Sequence, residues 1–419
     1  MSRPSVSDML DTLDTAAPRL AVLERYYAGE QDLAYLSPEA RIAVGKRLDR
    51  LAVNVPRLVV SALAERLRVA GFDLDGTRSE ALWSAWLGTD LDQLAGQAHR
   101  EALALGSAFA LVWADDRGRP RVSIESPHSM AVARHPATGE VTGAVKRWTE
   151  PTTDGRATQT HVVAYRPAEI VHLIGRPGSS STLEAVRSVE NPLGVVPVVP
   201  LINTDRPGRL DGVSEFLDVI PLVDGLNKSL ADLLVTSEYY ARPRRWATGL
   251  ELTETDVLDV DGNPTGETVA VNPIPESDRV MISEDPNTKF GQLDGASLSG
   301  YRTVVDIFVQ QISAVTGLPG HYLGVSHANP TSAEQTRAAE AALIVKAEAR
   351  QATFGRAWEQ VGRLMLAVTT GLDPEDHDVR VRWEDPAARS VAAEADATMK
   401  LHSEQIITTD EARDTVGVN

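Results

Sequence analysis

Gly317-Leu-Pro-Gly-His-Tyr-Leu-Gly-Val-Ser-His-Ala-Asn-Pro330 is the stretch from which the rest of the chain is best read. Its glycines and prolines break both helix and strand, so it is a loop. Immediately before it, Tyr301, Val305, Phe308, Ile312 and Val315 recur at three- and four-residue steps. That period predicts a helix over about 297–316, stopped by Gly317 and Pro319. Immediately after it, Thr331 and Glu334 form a Thr-x-x-Glu capping box, which starts another helix. Ala338, Ala339, Ala341, Ala342 and Leu343 give that helix high propensity, and Phe354, Trp358, Val361, Met365 and Val368 give it an apolar stripe. Over 332–370 it would be roughly 58 Å long at about 1.5 Å per residue. Gly355 and Gly362 are its expected bending points, and Gly371 and Pro374 end it.

Further out, the loop's upstream helix has a partner. Phe216, Ile220, Val223, Leu230 and Leu234 trace a second stripe up to about Tyr240, with Pro221 either a kink or the true helix start. Between the two helices, 241–295 has no helical period. It holds turn residues and short strands such as 268–271 and 279–283, which predicts a β-rich insertion. Beyond the long helix, Val379–Trp383 alternates as a strand, and an amphipathic segment covers about 391–407.

The N-terminal half is of two kinds. Residues 1 to about 100 read mainly as helix: Leu48, Leu51, Val55, Leu58 and Ala62 keep helical spacing, with Pro56 an interruption or a start. Trp83 and Trp86 read as core. From 98 to about 202 three hairpins follow: 108–114 with 121–126, 130–134 with 141–148, and 161–165 with 169–174. The expected fold class is α+β, mostly helical, with a meander sheet beside the helices.

Composition limits the function. The chain has 419 residues, enough for two or three domains at roughly 150 residues each. Its hydrophobic fraction of 42% supports a sizeable core. Aromatics are only 5%, so Leu, Val and Ala must fill most of that core. The absence of cysteine removes disulfides, thiolate metal sites and thiol nucleophiles. Asp8, Asp11 and Asp14 stand where a signal peptide would be basic and apolar, so none is expected. The apolar run 193–202 is short and carries Pro197 and Pro200, so no membrane span is expected. The formal charge of −18 opposes sequence-independent DNA binding, which works by neutralising phosphates.

Known reaction motifs fail. Gly45-Lys46 is followed by Arg47 and lacks the upstream glycine of a phosphate loop, and no strand leads into Gly-x-Gly-x-x-Gly. The segment Gly295 to Gly300 has its second glycine one residue late for a nucleophile elbow. Asp259, Asp261 and Asn263 begin like a calcium loop, but Pro264 replaces the glycine and Ala270 the final glutamate. The nine histidines show no metal spacing; His321 and His327 share a loop without an acidic partner. No catalytic residue, metal or cofactor is expected.

Two groups stay open on the residues alone. Arg242, Arg244 and Arg245, with Trp246, either balance a helix dipole or contact DNA or an acidic partner surface. The stripes at Phe308 and Ile312, and at Phe354 and Trp358, supply either contacts between identical subunits or intrachain core.

Four stretches together resemble the portal proteins of tailed bacteriophages, in the siphophage SPP1-type branch. They are Tyr26-Tyr27-Ala-Gly29-Glu30 through Leu36; Asn54-Val-Pro56-Arg57 through Gly71-Phe72; Asn191 to Leu201; and Asn329-Pro330-Thr331-Ser332-Ala333-Glu334 through Leu343. The resemblance covers most of the chain. It implies a ring, usually of twelve copies, at one capsid vertex, acting in DNA packaging and ejection. By it, 1–205 and 332–389 are the wing, 206–240 and 296–316 the two-helix stem, 241–295 the clip, 317–331 the tunnel loop and 390–419 a short crown. The implied DNA-facing residues are Gly320, His321, Tyr322, Leu323, His327 and Asn329. The implied partners are further copies, double-stranded DNA, the large terminase subunit, a head–tail connector, the major capsid protein and scaffold. The implied location is the virion, with assembly in the host cytoplasm. Two other classes compete: a helical adaptor of another assembly, and a hydrolase, which would need a convergent polar pocket.

Overall fold

A computed structural model describes residues 5–35, 51–151, 158–176, 183–204, 206–241, 245–248, 253–258, 264–271, 287–292, 298–324, 333–387, 398–400, 402–404 and 408–409. The chain opens with α1 (Val6–Ala28), which Ser5 caps by accepting from the Asp8 amide. Asn54 caps α2 (Val55–Ala64) in the same way, so Pro56 marks a start, where its missing N–H costs nothing. Strands β1 (Val69–Leu74) and β2 (Thr77–Arg78) form a small hairpin, and α3 (Glu80–Gly88) and α4 (Leu91–Leu105) follow.

Next come β3 (Ser107–Ala114) and β4 (Pro120–Glu125), then β5 (Met130–Arg134), β6 (Val141–Pro151), β7 (Thr158–Tyr165), β8 (Glu169–Gly175) and β9 (Glu184–Glu190). The last five make an antiparallel meander in chain order. All three expected hairpins are present; β9 is additional, an edge strand with every residue exposed. Met9, Leu10 and Leu13 of α1 pack on one face of this sheet against Ala131, Val145, Val162 and Ala164. Strand β10 (Val198–Ile202) pairs with β3 to complete a second sheet, ordered β10-β3-β4.

A 3-10 turn at Leu217–Val219 leads into α5 (Ile220–Ala241), so Pro221 falls in the first turn. The insertion contains β11 (Arg245–Thr248), β12 (Thr253–Leu258), β13 (Pro264–Val271) and β14 (Lys289–Gln292), paired β11-β14 and β12-β13. The expected strand 279–283 lies outside the described residues. Then come α6 (Ser299–Thr316), α7 (Ala333–Thr370) and β15 (Val379–Trp383), which pairs with β1 across more than 300 residues of sequence.

Helix α7 is the spine. It lies over β15 at Gly355 and Gly362: a Cβ at Gly355 would come within 3.1 Å of Val381 Cγ1, and one at Gly362 within 3.0 Å of Val379 Cγ1. These glycines, expected as bending points, are where helix and strand approach closely. The main core joins α1, α2, α3 and α4 to α7, and also takes in Phe216, Val219, Val223, Leu226 and Ile312. The lower ends of α5 and α6 therefore share one core with the N-terminal half.

An aromatic cluster forms its centre. Trp358 meets Trp86 edge-on at 5.1 Å and donates from Nε1 to His99 Nε2 at 2.8 Å, and Phe354 stacks on His99 at 5.4 Å. This decides the open reading of the apolar stripes. Phe354, Trp358 and Ile312 are each 0% exposed, so they are intrachain core and not contacts between subunits. Phe308 is half-buried and faces α5, where a Cβ on Gly225 would come within 2.6 Å of its ring. It too belongs to packing within the chain.

Candidate functional site

The loop after α6 begins as a fixed structure. Gly317, at φ 72°, caps α6 by donating to the Ser313 carbonyl. The Ser313 hydroxyl donates to the Leu318 carbonyl at 2.7 Å, and Thr316 Oγ1 accepts from the Leu318 amide at 3.2 Å. Leu318 and Pro319 are buried. Gly320, His321, Tyr322 and Leu323 form one 3-10 turn, all half-buried, which Gly324 ends at φ 77°. So four of the six loop residues singled out from sequence form the root of the loop. His327 and Asn329 lie outside the described residues, as do Thr331 and Ser332.

Two buried residues hold this root. Glu340 on α7 pairs with Arg66 at 3.0 Å, with side chains 6% and 11% exposed. The Tyr322 hydroxyl lies 3.5 Å from Glu340 Oε1 and accepts from Arg66 Nη2 at 3.3 Å. His321 Nε2 stands 4.0 Å from the same carboxylate. Arg66 and Glu340 were not singled out from sequence. One signal was present: Glu340, Leu343, Ala347, Gln351, Phe354 and Trp358 follow one another at three- and four-residue steps, which puts Glu340 on the core stripe of α7.

A second polar station lies further along α7. Glu215 accepts from Arg350 Nη2 at 2.9 Å and pairs with Lys346 at 3.3 Å. Burial alone would raise its carboxyl, but Arg350, Lys346 and the Asn203 amide outweigh that and hold it below the usual range. This pins the segment before α5 onto α7. At the same end of α5, the Tyr26 hydroxyl donates to both oxygens of Asp224, at 2.9 and 3.0 Å. Burial, with that carboxylate beside it, pushes the phenol up to about 12.

The pair α5–α6 packs within itself and leaves several apolar side chains uncovered. Gly225 and Phe308 set its close approach, and Thr236 Oγ1 meets the Tyr301 hydroxyl at 3.0 Å. Along the flank of the packed stripe on α6, Val304, Ile307 and Val315 are 39%, 52% and 47% exposed, and on α5 Leu234 is 46% exposed. Arg245 and Trp246 open β11, opposite Gln292 and Gly291; Arg242 and Arg244 lie outside the described residues. Among the described residues, no group of three or more His, Asp or Glu is placed to hold a metal ion, and no helix is long and apolar enough to cross a membrane.

These features are fixed ion pairs, a loop root and two helices with an uncovered face: a scaffold for assembly. Comparison with known proteins agrees. The family model for "Phage portal protein, SPP1 Gp6-like" matches residues 7–416. The portal protein of Mycobacterium phage L5 is 30% identical over 413 residues, covering 94% of this chain and 81% of that protein. The portal protein of Mycobacterium phage D29 is 30% identical over 432 residues, covering 98% and 84%. Among solved structures, a chain from the neck of an empty gene transfer agent particle, computed with C6 symmetry, gives a TM-score of 0.52 at 14% identity, covering 96% of this chain and 93% of that one. One from the neck of the native particle, computed with C12 symmetry, gives 0.50 at 12% identity, covering 99% of each. At such identities the structures speak to the fold, which they share with this α+β chain. By the extent of the family match, the chain belongs to the SPP1 Gp6-like family of phage portal proteins.

Proposed function

We propose that the chain closes into a ring of twelve at one capsid vertex, through which double-stranded DNA enters and leaves. The observation that carries this is the uncovered apolar flank of α6. Val304, Ile307 and Val315 leave water only if another molecule covers them. Heterologous contact between copies covers every such face at once when the rotation closes. The C12 symmetry of the related neck suggests the number. These smaller residues take the role first considered for Phe308, Ile312, Phe354 and Trp358.

In this reading α5 and α6 are the stem, β11–β14 the clip, and 317–331 the tunnel loop. Residues 1–205 with 332–389 are the wing, and 390–419 a short crown. Every copy adds a formal charge of −18, so the walls do not hold phosphates tightly and the DNA can slide. Gripping falls to the loop: its root at Gly320–Leu323 is anchored, and His327 and Asn329 are the candidate DNA contacts that follow. The chain does no chemistry. The large terminase subunit supplies force and docks at the clip, where Arg242, Arg244, Arg245 and Trp246 are the candidate contacts. A head–tail connector later takes that place. The major capsid protein and scaffold meet the wing while the ring assembles in the host cytoplasm.

Size-exclusion chromatography with light scattering, with and without scaffold, tests the ring. A mass near twelve protomers supports it, and a stable monomer under every condition refutes it in favour of a monomeric adaptor. Deleting 325–329 should leave the ring intact and impair packaging or retention of DNA; unaffected packaging would show that the loop does not face the DNA.

A further inference from the structure

Four stretches of chain meet at the buried Arg66–Glu340 pair. They are the segment after α2, the loop root, α7, and the segment that follows β15. Besides pairing with Glu340, Arg66 donates from Nη1 to the Pro386 carbonyl at 2.6 Å. Its own carbonyl accepts from Gln351 Nε2 at 3.3 Å, and the same amide donates to the Glu384 carbonyl at 3.0 Å. Tyr322 touches both members of the pair through its hydroxyl.

An ion pair on an apolar stripe is a poor way to gain stability, since two charges must be desolvated to make it. Leucine or methionine there would hold the same elements together. What charged hydrogen bonds add is direction: apolar contact is non-directional, whereas a guanidinium fork fixes angles as well as distances. The direction fixed here is that of a two-glycine-bounded turn, Gly320–Gly324, whose Tyr322 and Leu323 also pack on the main core. The Glu215 station is the contrast. Glu215 is as buried as Glu340 and is held against the same helix, yet its partners are Asn203, Lys346 and Arg350, and none is a loop residue.

We propose that Glu340, acting through Arg66 and Tyr322, is the positioning residue of the loop: it sets the line along which the chain leaves Gly324. Because Arg66 also binds Pro386, the same pair ties the loop root to the segment after β15, and a shift in either is felt by the other. This rests on the reading of 317–331 as the DNA-facing loop, and the test separates the two.

Hydrogen exchange on the full-length ring reads the positioning directly. The Tyr322 and Gly324 amides bond to the Pro319 and His321 carbonyls at 3.0 and 3.3 Å. In Glu340→Gln these two amides should exchange at least about tenfold faster, with α7 beyond residue 347 unchanged and ring mass unchanged. Tyr322→Phe, which removes one hydroxyl, should give a smaller rise of about threefold and serves if Glu340→Gln does not assemble. Glu215→Gln is the control: it should loosen 203–217 and leave the two amides alone. Unchanged exchange in both loop-side variants overturns the proposal, and so does an equal rise in Glu215→Gln, which would mean general loosening. DNA retention is the second arm. Faster exchange with undiminished retention leaves the positioning role standing and removes the DNA-facing reading of the loop.

Discussion

The cluster around Trp358 and the outer face of α6 are made of similar apolar material and end in opposite conditions. At Trp358 the indole is enclosed by Trp86, Phe354 and His99, and even its N–H has an acceptor. On α6, Val304, Ile307 and Val315 face solvent along the flank of the stripe that Phe308 and Ile312 pack. The first region is finished by one chain. The second is unfinished until something covers it. Large aromatic residues, which bury the most area, serve the single-chain core. Smaller aliphatic ones, whose exposure a free subunit tolerates, stay uncovered on α6.

The strongest test of the finished region is Trp358→Ala. It removes a fully buried indole and leaves a cavity beside Trp86 and His99, with an expected loss of about 3–5 kcal/mol in chemical denaturation. A loss below about 1 kcal/mol would mean that the core collapses readily and is not closed in the sense used here.

His99 gives the next effect through pH. Burial holds its imidazole neutral, pushing the pKa from 6.5 down to about 3. Above pH 6.5 neither folded nor unfolded chain holds the proton, so the residue has no influence on stability. Below 6.5 the unfolded chain binds a proton that the folded chain refuses. Stability should therefore fall by about 1.4 kcal/mol per pH unit, or about 2 kcal/mol by pH 5, and level off only near pH 3. His99→Gln, which can still accept from Trp358, should flatten that slope. An unchanged slope in urea unfolding between pH 7 and 5 would assign the acid lability to other groups.

Legibility from sequence divides along the same line. Local period gave the three hairpins, α6, α7 and the strand at 379–383, because each buries one regular face. The role of Gly355 and Gly362 was not legible, since the close neighbour is β15, which only the fold brings against the helix. Strand β9 was missed because a fully exposed strand has no burial pattern. The stripe residues Phe354 and Trp358 were found, but whether a stripe meets its own chain or another is a tertiary fact. Arg66 and Glu340 lie 274 positions apart in sequence, so neither could suggest the other. The helix pair bears this out at Gly225, which reads as a helix defect and is a notch for Phe308. Gly225→Ala should cost about 1–3 kcal/mol by forcing that ring aside. A neutral or stabilising result, as helix propensity alone would give, would mean that the two helices separate easily.

Ile307→Asp is the smallest change to the single chain and the one that bears most on assembly. The side chain is 52% exposed, so unfolding of the dissociated subunit should change by no more than about 0.5 kcal/mol. In a ring the same substitution is repeated at every interface, and each copy buries a carboxylate without a partner. Light scattering should then show subunits or small oligomers in place of the ring. Thr303→Asp, also exposed on α6 but polar to begin with, should leave assembly intact if the apolar stripe is the contact. Two results would break the contrast between the regions. If Ile307→Asp destabilises the isolated subunit as much as Gly225→Ala, the outer face of α6 is covered by its own chain after all. If both aspartates assemble equally well, the neighbour's contact lies elsewhere, and Leu234 on α5 becomes the apolar residue to change next.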